Sequence, residues 1–290
     1  MTLSRMDGRA IAPGAGTVLC ALATGVGSAF AIDLDVTASV TLEPEQSSVE
    51  GRVAGDADAD TSLVERCVEL TVAAYGESDP GGVVETESEI PMASGLKSSS
   101  AAANATVLAT LDALGRADEV SREDACRVGV RAARETGVTV TGAFDDASAS
   151  MLGGVTVTNN TEDALVARDE LDAHALVYTP DERAYSADAD TARCQRVAGT
   201  ADVVEELALA GRYGEAMTVN GWAFCAALDR QTEPMLAALP EADGVSLSGT
   251  GPSYVAIGDE DALTEIRNSW DEMTGTTRLV RTRNDGARTT

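Results

Sequence analysis

Over Thr61 to Tyr75 the apolar residues Leu63, Val64, Cys67, Val68, Leu70 and Val72 recur at helical spacing and favour one side. Thr61 or Ser62 can cap the start of that helix and Gly76 closes it. Upstream, Gly8 to Ala12 reads as a short strand leading into the turn Pro13-Gly14-Ala15-Gly16, and Thr17 to Thr24 reads as a buried helix. Ala29 to Leu34 and Val36 to Leu42, apolar or β-branched, read as a strand pair, with a turn at Pro44 to Ser48.

Beyond the Gly81-Gly82 pair the pattern predicts a strand over Val83 to Thr86, then a long alanine-rich helix from about Ser99 to Leu114 that stops at Gly115. Another helix covers roughly Arg122 to Glu135. It is followed by Val138 to Thr141, an acidic turn from Gly142 to Asp146, a small-residue helix to Leu152, and a strand over Val155 to Thr158. From Ala175 to Tyr178 onward the pattern restarts with a strand, helices near Asp202 to Ala210 and Asn220 to Leu228, and a strand, turn and strand around Gly244 to Gly258. The restart predicts a second lobe in a mixed α+β protein. Two low-complexity stretches, Ala54 to Asp60 and the polar tail after Arg283, read as solvated or loose.

Charge narrows the functional classes. Acidic residues number 48 against 21 basic ones, a formal charge of −27, which argues against nucleic-acid binding as a main role. Lys97 is the only lysine. Such a surface is suited to a salt-rich cytoplasm, where abundant cations screen carboxylates that would otherwise repel one another. The cysteines Cys20, Cys67, Cys126, Cys194 and Cys225 are widely spaced with no C-x-x-C pair, so free thiols in a reducing compartment are expected. With His174 the single histidine, a zinc centre or a Ser-His-Asp hydrolase has little support; His174 reads as a strand-edge residue. The uncharged run from Ala10 to Ile32 is broken by Gly14, Gly16, Gly25 and Gly27 and is poor in leucine, so no membrane anchor is expected from it.

The chemistry concentrates in Pro91-Met92-Ala93-Ser94-Gly95-Leu96-Lys97-Ser98-Ser99-Ser100-Ala101, a turn-forming run opening directly into the alanine-rich helix. Glycine lets the backbone approach a phosphate closely, the unpaired amides of a helix start point at it, and the helix dipole adds positive potential. The serines supply hydroxyls for phosphate oxygens or a magnesium ion, and Lys97 adds a mobile charge. Composition also permits a plain serine-rich helix cap with an incidental lysine. Asp145 and Asp146 offer paired carboxylates, of which one could take a proton from an attacking hydroxyl; an Asp pair that only caps the next helix is the structural alternative. Gly249, Thr250 and Gly251 form a glycine-rich turn able to approach a nucleotide, or an ordinary hairpin turn. Gly25-x-Gly27 hints at a dinucleotide fingerprint, but Phe30 stands where the third glycine belongs, so a dinucleotide-dependent oxidoreductase is the weakest reading.

The segment from Pro91 resembles the P-x-x-x-G-L-x-S-S motif of the GHMP kinases, the family of galactokinase, homoserine kinase and mevalonate kinase; a Walker loop is absent. Thr141-Gly142-Ala143-Phe144-Asp145-Asp146-Ala147 resembles the family's acidic turn, and Ser248-Gly249-Thr250-Gly251-Pro252-Ser253 its third motif. The first motif, near Ala12-Pro13-Gly14, is partly kept: mevalonate kinases have a lysine after that Pro-Gly, and Ala15 stands here. The wording GLKSSS with TGAFDDA is most similar to the archaeal shikimate kinases.

The resemblance covers Gly8 to Gly258. It implies a two-lobed α+β fold with mixed or antiparallel sheets and an active-site cleft, an N-terminal nucleotide-binding domain over 1–170 and a C-terminal domain over 171–290. It implies ATP and Mg2+ as cofactors and shikimate as the phosphate acceptor, in chorismate and aromatic amino-acid synthesis. Asp145 and Lys97 are then the catalytic candidates and Pro91 to Ala101 with Gly249, Thr250 and Gly251 the ATP contacts. Asp33 and Asp146 are the acceptor contacts, and Ser99 and Glu135 the metal side. Another GHMP kinase acting on homoserine or a mevalonate-like alcohol, and a non-catalytic nucleotide-binding regulator, are the alternatives.

Overall fold

The computed structural model describes residues 5–91, 94–139, 143–182 and 189–290. Strands β1 (Met6–Leu19) and β2 (Val26–Glu43) form a long antiparallel hairpin with register running from Met6 opposite Leu42 to Leu19 opposite Ser28. Along its second half β2 pairs with β4 (Gly81–Ser88), which pairs in parallel with β3 (Val49–Val53). The first half of β2 pairs instead with β5 (Val155–Asn159), itself joined to β6 (Ala164–Asp169). Helices α1 (Ser62–Tyr75), α2 (Ser98–Ala113), α3 (Arg122–Glu135) and α4 (Phe144–Leu152) pack together, with α2 and α4 lying on β1 and β2.

After Asp169 the chain leaves for a second, antiparallel sheet. Its order is β10 (Gly275–Arg281), β7 (His174–Pro180), β9 (Tyr254–Gly258), β8 (Gly244–Leu247). The helices of this part are α5 (Thr191–Gln195), α6 (Ala198–Leu209), α7 (Tyr213–Leu228), α8 (Glu233–Ala238) and α9 (Glu260–Trp270). Both α6 and α7 also touch β1, so a single apolar core runs from Ala10 in the first sheet to Trp270 behind the second. The mixed α+β architecture with parallel and antiparallel pairing agrees with the expected fold class.

The first forty residues depart from the sequence reading. Instead of strand, turn and helix, Met6 to Leu19 is one strand, and the two expected strands after it are the single β2. The burial pattern explains the difference. On β2 buried and less buried positions alternate from Ile32 to Glu43, whereas Gly27 to Ile32 is buried throughout, and on β1 the alternation is lost after Ala12. Where a sheet is covered on both faces, the two-residue period that identifies a strand disappears. Gly16 fits inside this strand because a Cβ there would lie 2.6 Å from the Phe30 ring. The uncharged run from Ala10 to Ile32 is therefore two strands and the turn between them, and no described helix is long and apolar enough to cross a membrane.

The polar tail is a second correction. Expected to be loose, it is tied across the molecule by backbone hydrogen bonds: Arg283 N to Ala31 O (2.9 Å), Gly154 N to Arg283 O (2.8 Å), Ala287 N to Met151 O (3.0 Å) and Thr290 N to Arg9 O (2.9 Å). It ends as β11 (Arg288–Thr289) on the outer edge of β1. Low apolar content concealed this because the tail is held by main-chain groups, which every residue type carries. Gly153 permits the approach: its φ is positive, and a Cβ there would come within 2.4 Å of Asn284 O.

Other elements follow the pattern more closely. Gly115 ends α2 at φ +69°, Ser121 caps α3 by accepting from the Asp124 amide, and the five cysteines are buried free thiols. His174 opens β7, with Glu260 at 3.4 Å. The expected extended stretch over Val138 to Thr141 lies partly outside the described residues, and Val138 and Thr139 have no regular structure.

Candidate active site

Three segments far apart in the chain close on the start of α2. Ser94 is buried and its Oγ donates to Pro91 O at 2.7 Å. Gly95 turns the chain at φ +83°, where an added Cβ would sit 2.4 Å from Ser248 O and 2.8 Å from Gly251 O. Leu96 O accepts from Ala15 N at 3.2 Å, which ties the loop to β1. The glycine-rich turn between β8 and β9 closes the other side: Ser248 Oγ donates to Gly95 O (2.8 Å), Ser253 N to Ser94 O (3.1 Å), and Gly249 N to Thr17 Oγ1 (2.8 Å). Met92 and Ala93, named above as nucleotide contacts, lie outside the described residues.

Lys97 then enters α2 in the left-handed region, φ 66° and ψ 29°. For a residue with a side chain this backbone costs about 1 kcal/mol or more, and such strain is retained where the surroundings demand it. The helix it opens has no side-chain cap and no acidic residue in its first turn. The first amides of α2 and the positive end of the helix dipole therefore favour an anion here, with Ser98, Ser99 and Ser100 supplying hydroxyls in the same turn. A surface depression lined by Glu241, Asp259, Glu260, Asp261 and Glu265 has the opposite character and would repel a triphosphate.

The acidic pair faces this loop from the first turn of α4 rather than from a turn preceding it. Lys97 Nζ lies 2.8 Å from Asp146 Oδ1, an ion pair whose alignment falls short of a hydrogen bond, and both side chains are largely buried. Asp145 is 5% exposed. Its Oδ1 accepts from Asn160 Nδ2 at 2.7 Å, and its backbone N donates to Asn160 Oδ1 at 3.0 Å. Gly27 presses on the other side, since a Cβ there would fall 2.4 Å from Asp145 Oδ2 and 2.6 Å from its Cβ.

Burial, reinforced by the charge of Asp146, pushes the Asp145 carboxyl up to about 7, against the opposing pull of Lys97 and the hydrogen bond from Asn160. Burial pulls the Lys97 ammonium down, but Asp146 and Asp145 outweigh it and leave the lysine raised and charged. Cys20, whose amide donates to Asn220 Oδ1, has its thiol pushed up to about 12 by burial, so it presents a neutral sulfur. The arrangement combines a carboxyl raised towards neutrality, a fixed cation and an uncapped helix start, groups able to take a proton and to favour an anion.

Two of the named residues stand elsewhere. Glu135, in the last turn of α3, has one oxygen on Arg66 and the other on Arg131, each at 2.7 Å, and these arginines hold its carboxyl below the usual range. Asp33 is exposed on β2, with Arg283 Nη1 at 3.4 Å, and lies six positions along the strand from Gly27, roughly 20 Å. Asp146 is engaged by Lys97, while Thr250 is buried and its carbonyl accepts from Arg230 Nε at 3.2 Å. Among the described residues no group of three or more His, Cys, Asp or Glu side chains could hold a metal ion by itself. The structure adds Asn160 and Thr17, which carry no sequence signal, since a threonine in a strand or an asparagine after one reads as turn or filler; Ser248, the first residue of the third motif, joins them through its bond to Gly95 O.

A model of the GHMP kinases N terminal domain matches residues 62–154. The chain is 66% identical over 285 residues to a shikimate kinase of Halobacterium salinarum, covering 98% of this chain and 100% of that protein. It is 47% identical to a shikimate kinase of Methanosarcina mazei, covering 97% and 96%. Among solved structures, a homoserine kinase from Cytophaga hutchinsonii superposes with a TM-score of 0.77 at 18% identity, covering 98% and 97%. The mevalonate kinase of Methanococcus jannaschii gives 0.72 at 14%, covering 96% and 98%. These two structures share the fold.

Proposed function

We propose, for a chain that belongs to the GHMP kinases and within them to the archaeal shikimate kinases, that Asp145 takes the proton of the acceptor hydroxyl while Lys97 and the start of α2 hold the phosphoryl group. The reaction is the ATP-dependent phosphorylation of shikimate to shikimate 3-phosphate. The observation that carries the residue assignment is a buried carboxyl, Asp145, pushed up to about 7 and adjacent to the aspartate that pairs with the one lysine of the chain at the head of an uncapped helix.

The triphosphate lies along the first turn of α2, with Gly95 and Gly249 letting main chain approach it and Lys97 countering charge on the moving phosphoryl group. The acceptor hydroxyl points at Asp145, which takes its proton as the bond to phosphorus forms and the bond to the ADP oxygen breaks. Most of the acceleration comes from holding both substrates in line and from charge already fixed in place.

Mg2+, when bound with the nucleotide, supplies further neutralisation of phosphate charge. A magnesium ion takes few protein oxygens and fills its shell with phosphate and water. The exposed Ser99 hydroxyl in the first turn of α2 fits that role. Glu135 fits less well, because it would have to release Arg66 or Arg131 to reach the metal. We place the enzyme in a reducing, salt-rich cytoplasm, a reading supported by buried free thiols and the charge of −27.

The direct test is acceptor-dependent ADP release with shikimate, homoserine and mevalonate, each with ATP and magnesium. Shikimate should be turned over in strong preference; ATP binding with no acceptor-dependent turnover would mark a regulator instead. Asp145→Asn should cost at least about 100-fold in kcat while ATP still binds, and a folded variant with normal turnover would remove Asp145 from the role.

A further inference from the structure

We infer that Asn160, on the turn after β5, is a positioning residue for the phosphoryl transfer: it orients the Asp145 carboxyl, occupies Oδ1, and leaves Oδ2 to receive the proton. The inference rests on the assignment of Asp145 as proton acceptor made above. Asn160 is 3% exposed and grips the same aspartate twice, at the backbone amide (3.0 Å) and at carboxylate Oδ1 (2.7 Å).

The direction of its amide is determined by its neighbours. Thr158 Oγ1 donates to Asn160 Oδ1 at 2.8 Å, and the Asp145 amide donates to that same oxygen. The backbone amide can only donate, so the oxygen must face it and the NH2 must face Asp145 Oδ1, and the Thr158 hydroxyl, able to donate or accept, then donates. An NH2 group can only donate, which favours the ionised carboxylate. Oδ1 is thereby engaged, and Gly27 limits the space around Oδ2, so the carboxyl has little freedom to rotate.

The same asparagine also serves α4. Asp145 N belongs to the first turn of that helix, and Ala143 before it, at φ 50°, has no side chain able to cap. Asn160 supplies the missing acceptor from fifteen residues away. One side chain thus joins the start of the helix to the ionisation of the group it presents. The charged and titratable groups facing Asp145 are Asp146 on the same helix, Lys97 at the head of α2, and the neutral thiol of Cys20 after β1. Asn160 is distinct from these in supplying an uncharged donor.

Asn160→Asp separates the two tasks. It keeps an oxygen for the Asp145 amide and for Thr158 but replaces the donor with a second carboxyl, so the pair must share a proton. The acidic limb of the kcat/KM profile should move up by about one to two units, the size carried by one charge-assisted hydrogen bond. Turnover at neutral pH should fall about tenfold or more and recover at alkaline pH, with the Kd for ATP unchanged. Asn160→Ala, where it folds, should move the limb in the same direction by less. A folded Asn160→Asp whose limb stays in place, while Asp145→Asn measured alongside is inactive, would overturn the role of Asn160 and leave that of Asp145 standing. An active Asp145→Asn would overturn both.

Discussion

Lys97 Nζ stands 2.8 Å from Asp146 Oδ1, in a space so narrow that a Cβ added to Gly249 would come within 2.7 Å of the same nitrogen. The one lysine of the chain thus joins the glycine-serine loop before α2, the acidic pair and the glycine-rich turn of the second sheet. Its left-handed backbone aims the side chain into that junction. Ala15 occupies the place where mevalonate kinases carry a lysine, and here a cation reaches the acidic pair from the phosphate loop instead.

Replacing this lysine should therefore damage stability and catalysis together. Lys97→Ala leaves Asp146 mostly buried without its cation, a loss of about 3 kcal/mol, and should lower kcat/KM for ATP by about 100-fold or more. Lys97→Arg should rescue little of the activity, because a planar guanidinium does not fit beside Gly249. Thermal melting and steady-state kinetics on the two variants check this. Wild-type turnover in Lys97→Arg would show that charge alone suffices.

Gly27 lies on a strand with no special backbone requirement, and its constraint is steric. Gly27→Ala would place a carbon 2.6 Å from the Asp145 Cβ, so the carboxyl must shift. The expected result is a fall in kcat of about 100-fold with little change in the Kd for ATP. Equal losses in both quantities would mean that the whole cleft, and not the acid alone, had moved.

The buried acid also gives folding a pH signature. The folded-state pKa of Asp145 is raised from an ordinary 3.8 to about 7, mainly by burial, so the folded state binds the extra proton between those values. Its contribution is fully present below about pH 4 and is lost as pH rises through about 7. Relative to Asp145→Asn, the wild-type protein should lose melting temperature between pH 5 and pH 8, by several degrees in the absence of ligands. Parallel melting curves for the two proteins across that range would reject the raised pKa.

Salt provides a separate prediction. A charge of −27 on 290 residues repels itself when unscreened. Raising ionic strength from about 0.1 M to about 1 M shortens the screening length from about 10 Å to about 3 Å. The melting temperature should rise over that range and fall on dialysis into dilute buffer. A melting temperature indifferent to dialysis would contradict this.

What could be read in the chain follows a physical division. Helix α1, with its one-sided apolar spacing, α2 with its alanines and terminal glycine, and α3 after its serine cap are local structures, and their residues announce them. The glycine-serine turn before α2 is equally local, because a glycine turn running into a helix needs only consecutive residues to offer unpaired amides. The second half of β1 and the tail are not legible, because both sheet faces are covered from Ala12 to Leu19 and from Gly27 to Ile32 and because the tail is held by its main chain.

By itself, then, the sequence determined the glycine-serine turn that opens α2, the presence of an acidic pair, the charge of −27 and the mixed α+β class. Only the tertiary structure decided that Lys97 would face Asp146, that Asn160 would hold Asp145, and that Gly249 would bond Thr17 across 232 positions of chain. It also decided that Glu135 would be held by Arg66 and Arg131. Propensity and periodicity act over a few residues, whereas the pKa of a carboxyl depends on what lies within a few ångströms in space. Those neighbours are known only once the sheet and its helices are packed.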